Sequence, residues 1–117
     1  EGDDLRNFDP KFDTLRFPQY VKAVTQLNDY ASKHYGKKVI DLALRWILDK
    51  GNTVCLWGAR KPTQMDAVEG AFGWSLNSND MKNIDAILTD CIQDPVGPEF
   101  MESPLRDDKD YKGLYPV

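Results

Sequence analysis

The order of periodic segments predicts an α/β chain: a slice of a repetitive α/β fold, mostly helical in isolation, with one buried-type strand at about residues 53–58. Three observations predict it. Four stretches carry apolar residues at helical spacing. One short run, Thr53-Val54-Cys55-Leu56-Trp57, is apolar without alternation, as in strands covered on both faces. The chain has 117 residues, far fewer than the roughly 250 of a closed eight-stranded α/β barrel.

Residues 1–17 mix charge with turn formers and read as a loop held down by Phe8, Phe12 and Phe17. Pro18 suits a first helical turn. From there Tyr20, Ala23, Val24, Leu27, Tyr30 and Ala31 mark one helix face, and Gly36 supplies a left-handed stop. In the next helix Val39, Leu42, Ala43, Trp46 and Ile47 keep the period while Ile40, Leu44 and Leu48 fill a neighbouring stripe, so it packs against more than one neighbour. The strand run follows, bounded by Gly51-Asn52 and Gly58. Its backbone groups need partners from flanking strands or from a second copy of the chain. Pro62 opens a third helix through Met65, Val68 and Phe72, ended by Gly70 and Gly73. Asn77 can cap a fourth at the Asp80 amide, with Met81, Ile84, Ile87, Leu88 and Cys91 along its buried edge. Residues 94–117 read as an extended tail, partly disordered at its end.

Composition excludes several partners. Fifteen Lys and Arg against nineteen Asp and Glu give a net charge of −4, which argues against nucleic acid, whose phosphates call for a basic face. No apolar run is long enough to span a membrane and no secretory signal is present, so a cytoplasmic location is expected. The first residue, Glu1, is not an initiator Met, which implies that something upstream has been removed. Cys55 and Cys91 lie in apolar segments without metal-ligand spacing and read as reduced core residues, and no metal is expected.

The chemistry sits after the strand, because ligands of such folds bind outside the carboxyl ends of strands. Gly58 permits close backbone approach, Arg60 and Lys61 supply charge, and the N–H groups of Thr63 and Gln64 are expected to stand free at the helix start. Together they form a candidate anion site. Arg60 is the stronger phosphate ligand because its guanidinium engages two oxygens. The plain alternative is two solvated cations at an ordinary turn.

The stretches Val39-Ile40-Asp41-Leu42-Ala43-Leu44-Arg45-Trp46-Ile47-Leu48, Trp57-Gly58-Ala59-Arg60-Lys61-Pro62-Thr63-Gln64-Met65 and Trp74-Ser75-Leu76, in that order, resemble the C-terminal portion of the aldo/keto reductases over residues 1–93. The resemblance implies a C-terminal fragment of a (β/α)8 TIM barrel: residues 1–17 the loop towards the substrate mouth, 18–93 the last helices and eighth strand, 94–117 the tail. It implies hydride transfer between NADP(H) and a carbonyl, with the 2′-phosphate and adenine gripped by Gly58 and Ala59 through backbone, by Arg60 and the adjacent Lys61, and by Gln64 from the helix. Many members carry an acidic residue and Asn in the next turn. This chain has Ala67 and Val68 there, so the resemblance carries no adenine contact at those positions.

The family's catalytic Asp, Tyr, Lys and His lie upstream of the matching region, so no catalytic residue is assigned and the chain alone is expected to be inactive. His34, the sole histidine, reads as a helix-end surface residue, Tyr20, Tyr30 and Tyr35 as packing or surface residues, and Trp46, Trp57 and Trp74 as core. The expected partners are NADP(H) and either the remainder of the barrel or a second copy of the chain, with no nucleic acid and no membrane. The alternative function is a non-catalytic helical module that self-associates through its unpaired strand.

Overall fold

The computed structural model describes residues 4–101. Four α-helices run in the predicted order: α1 (Phe17–Tyr35), α2 (Val39–Asp49), α3 (Asp66–Gly70) and α4 (Ser78–Cys91). Single turns of 3₁₀ helix occupy Leu5–Asn7, Pro10–Phe12, Pro62–Met65 and Pro98–Met101.

The entry to α1 is set by Asp13, whose Oδ1 accepts the N–H groups of Leu15 at 2.9 Å and Arg16 at 2.7 Å. The exit is Gly36, at φ 62°, a conformation that costs a side-chain-bearing residue about 1 kcal/mol or more. The entry to α2 uses Asp41, whose Oδ2 accepts the Lys38 N–H at 3.0 Å. The predicted cap of α4 forms in full: Asn77 Oδ1 accepts from Asn79 N at 2.8 Å and Asp80 N at 3.0 Å, while Asp80 Oδ2 accepts from Asn77 N at 2.8 Å. This reciprocal box satisfies donors that the first turn would otherwise orphan.

α1 lies against both α2 and α4, and α2 carries α3 on another side. Ala31, Leu42, Leu76 and Ile84 form the buried centre, ringed by Leu27, Tyr30, Tyr35, Trp46, Trp74, Met81 and Leu88. Ala31 has no exposed surface at all; its small side chain is what lets the helices approach there. Cys91 is buried and Cys55 half-buried, both as free thiols. His34 is exposed and stacks on Tyr30, ring centroids 4.4 Å apart.

One polar cluster is set among these apolar contacts. Asp80, only 5% exposed, accepts the hydroxyls of Tyr30, at 2.6 Å, and Tyr35. Burial works to raise its carboxyl pKa, but the two tyrosine hydroxyls, the Asn77 amide and nearby His34 together hold it below the usual carboxylate range. The Tyr35 hydroxyl is pushed up to about 12, first by burial and then by its hydrogen bond to Asp80. The bonds tie α1 to α4 at a fixed register.

Two expectations need correction. Residues 53–59 form no strand among the described residues, and Val54 and Leu56 stand 87% and 92% exposed. A strand exists only through hydrogen bonds to its neighbours, and among the described residues no strand lies beside this run. The third helix is a 3₁₀ turn followed by five α-helical residues, ending at Gly70, with Met65 and Phe72 exposed. The tail is pinned at its start: Arg16 pairs with Asp94, Gln19 Oε1 accepts the Gln93 N–H at 2.8 Å, and the Tyr20 hydroxyl accepts the Val96 N–H at 3.0 Å. The disorder expected at the tail's end concerns residues 102–117, which lie outside the described residues.

Candidate functional site

The segment after the extended run turns sharply at Lys61-Pro62, and Pro62 fixes the backbone for the 3₁₀ turn that follows. Within that turn Gln64 N–H donates to the Lys61 carbonyl at 3.0 Å. The Gln64 amide is therefore spent, contrary to the expectation that it stands free for a ligand. A different pair of amides converges here, on a side-chain oxygen. Gln64 Oε1 accepts the N–H of Arg60 at 2.7 Å and of Lys61 at 2.9 Å, so two consecutive backbone donors converge on one oxygen.

Two successive N–H groups aimed at a point form a small anion-binding concavity. Here a carboxamide oxygen, carrying partial negative charge, fills it. The Arg60 and Lys61 side chains are exposed on the same turn. The guanidinium of Arg60 and the ammonium of Lys61, on adjacent residues leading into this turn, are the groups that fit a phosphate.

Beside the turn lies an open cavity of about 510 Å³ between the start of α2 and the 57–70 segment. Lys38, Asp41, Trp57, Gly58, Thr63 and Gln64 are among its lining residues. Of the expected site residues, Gly58 and Gln64 reach this cavity, Arg60 and Lys61 stand on the exposed turn, and Ala59 is exposed between them. Gly58 does not adopt a positive φ, and a Cβ there would meet open space. Its absent side chain keeps the approach to the cavity clear rather than relieving a strained backbone. The indole Nε1 of Trp57 is buried without a hydrogen-bond partner among the described residues.

The sequence reading missed the Arg60 and Lys61 amides. Gln64 sits three residues after the residue that precedes the turn, which is where capping-box Glu and Gln residues reach back to accept N–H groups; Lys61-Pro62-Thr63-Gln64 carried that signal. It also missed Asp41, whose side chain lines the cavity while capping α2.

Comparison with known proteins decides the family. The aldo/keto reductase family model matches residues 1–89. The chain belongs to the aldo/keto reductase family. It is 57% identical over 109 residues to the aldo-keto reductase YhdN of Bacillus subtilis (strain 168), which covers 92% of this chain and 33% of that protein. The solved glycerol dehydrogenase AKR11B4 from Gluconobacter oxydans superposes with a TM-score of 0.75 at 43% identity, over 84% of this chain and 30% of its own. That neighbour is a TIM barrel, so the helices described here are a piece of an α/β barrel, and the chain spans about a third of the relatives it matches. The family is one of oxidoreductases. Among the described residues no helix is long and apolar enough to cross a membrane.

Proposed function

We propose that this chain is the C-terminal part of a cytoplasmic NADP(H)-dependent aldo/keto reductase and carries the grip for the cofactor's 2′-phosphate and adenine end. The observation that supports this is the convergence of the Arg60 and Lys61 amides on Gln64 Oε1, with both cationic side chains on the same turn. In this reading Arg60 bonds the phosphate through its fork, Lys61 adds charge, and Gln64 holds the loop open through its oxygen while its amide nitrogen faces the ligand. Gly58 and Ala59 offer a backbone edge without bulk. When bound, the dinucleotide supplies the hydride that reduces a carbonyl. The catalytic positions belong to the part of the barrel upstream, so the 117 residues alone do not turn over. Reduction of an aldehyde by the isolated chain with NADPH would contradict that.

The decisive test is Arg60→Ala in the parent reductase. Loss of a charge-assisted hydrogen bond to phosphate costs about 1.5–3 kcal/mol, so NADPH binding weakens at least about tenfold. NADH, which lacks the 2′-phosphate, is little affected. Equal affinity of wild type and variant for NADPH removes the phosphate assignment.

A second reading rests on a separate observation. The exposed, ladder-free run with Val54 and Leu56 is a template for edge pairing, so the isolated chain self-associates where the flanking strands of a barrel are not supplied. Light scattering at micromolar concentration tests it, and a strictly monomeric species counts against it.

A further inference from the structure

Asp41, Arg45 and Asp49 recur every four residues along α2 and so form one stripe of the helix. Asp41 is 7% exposed, and the side chains of Arg45 and Asp49 are 17% exposed each. Charges this buried need polar partners: Arg45 and Asp49 pair with each other, Asp41 accepts the Lys38 N–H, and the three lie against successive parts of the stretch from Gly70, the last residue of α3, to Leu76. The Asp41 carboxylate abuts Gly70 so closely that a Cβ at position 70 would stand 2.7 Å from its Cγ and nearer still to Oδ1. Arg45 Nη1 donates to the Ala71 carbonyl at 3.3 Å, while its Nε and Nη2 fork onto Asp49 at 2.9 and 2.8 Å. Asp49 Oδ2 also accepts the Leu76 N–H at 2.8 Å.

Apolar side chains would hold α3 to α2 at less desolvation cost, but an apolar face resists sliding weakly. Two hydrogen bonds, at Ala71 and Leu76, and the close fit of the Asp41 carboxylate against Gly70 fix the register instead. Gly70 follows Gln64 by six residues through unbroken helical backbone. Asp41 and Gly70 line the same cavity as Gly58 and Gln64.

We propose that Asp41, Arg45 and Asp49 are positioning residues that register the 58–76 segment on α2, and thereby set where Gln64 and the Arg60-Lys61 turn meet the cofactor phosphate. The proposal rests on the phosphate-grip reading above. The test measures NADPH and NADH dissociation constants and thermal midpoints for the parent reductase carrying Gly70→Ala, Asp41→Ala with Gly70→Ala, Arg45→Lys and, as reference, Arg60→Ala. Because displacements of about 1 Å cost large factors at such sites, Gly70→Ala weakens NADPH about tenfold with NADH changed less than about twofold. Removing the Asp41 carboxylate in the same chain recovers part of the loss. Arg45→Lys, which keeps the charge but loses the fork, moves the NADPH/NADH ratio in the same direction, and it alone decides where Gly70→Ala fails to fold. A role in stability only lowers the midpoint and leaves the ratio unchanged. The proposal is overturned if Arg60→Ala shifts the ratio while folded Gly70→Ala and Arg45→Lys do not. If Arg60→Ala itself leaves the ratio unchanged, the phosphate-grip reading is what fails.

Discussion

Replacing Asp80 by Ala tests whether the polar cluster between α1 and α4 holds the fold together. The substitution deletes the acceptor for three donors: the hydroxyls of Tyr30 and Tyr35 and the Asn77 N–H. Hydrogen bonds to an ionised acceptor contribute about 1.5–3 kcal/mol each. The exposed Asn77 amide regains water, so the loss falls below the simple sum, at about 3–5 kcal/mol; the Asn83 amide donates to the Tyr30 oxygen at 3.3 Å and so does not replace the acceptor that the Tyr30 hydroxyl loses. Two milder variants bracket it. Asp80→Asn keeps the shape and one strong acceptor and costs about 1–2 kcal/mol; Tyr35→Phe removes one donor at about the same cost. Urea unfolding at neutral pH gives all three values. The order Ala, then Asn, then wild type is expected, with a thermal midpoint lowered by at least about 12 °C for Asp80→Ala. An Asp80→Ala chain within about 1 kcal/mol of wild type would refute the reasoning, because buried donors cannot lose a carboxylate at so small a cost.

The same cluster sets a pH window. Asp80 is lowered in the folded state, so its stabilisation is present above the ordinary carboxylate pKa and is lost as pH falls through the lower folded value. Tyr35 is raised to about 12 from 10.0, so its share is complete below pH 10 and disappears between there and about 12. Unfolding free energy followed against pH should therefore hold level between these limits, and Tyr35→Phe should flatten the alkaline limb. Leu42, 2% exposed at the centre of the core, should cost about 2–5 kcal/mol on truncation to Ala, measured by the same denaturation. Gly36→Ala should cost about 1 kcal/mol, because the left-handed stop of α1 is retained against a Cβ; a stabilising effect would mean that α1 does not end there.

What was legible in the sequence was what local chemistry decides. Helix α1 could be read from its spacing and from Gly36, and α4 from Asn77, because spacing, caps and stops act within a few residues. The run Thr53–Trp57 shows the opposite case. Its composition states that it belongs between other strands, yet whether it forms one depends on chain elements far away, and here Val54 and Leu56 face solvent. The candidate anion site was half legible. Gly58, Arg60 and Lys61 announce an anion by residue type, and Gln64 by family pattern, but how the amides are used depends on the 3₁₀ turn. That turn consumes the Gln64 N–H and leaves those of Arg60 and Lys61 to converge.

The contacts of α2 explain why its charged stripe escaped a reading by hydropathy. Leu42 and Trp46 face the α1–α4 core, and a periodic scan registers them and passes over Asp41, Arg45 and Asp49. The arc they occupy is instead covered by Gly70, Ala71 and Leu76, contacts separated by 26 or more residues for Arg45 and Asp49 that no local pattern encodes. The same helix therefore joins the two problems the chain has to solve. Its apolar side builds the core, and its charged side carries the segment bearing the candidate anion turn, so the two sides of α2 serve different ends. Loss at Leu42 should lower stability with the NADPH/NADH ratio intact, and loss at Arg45 should move the ratio.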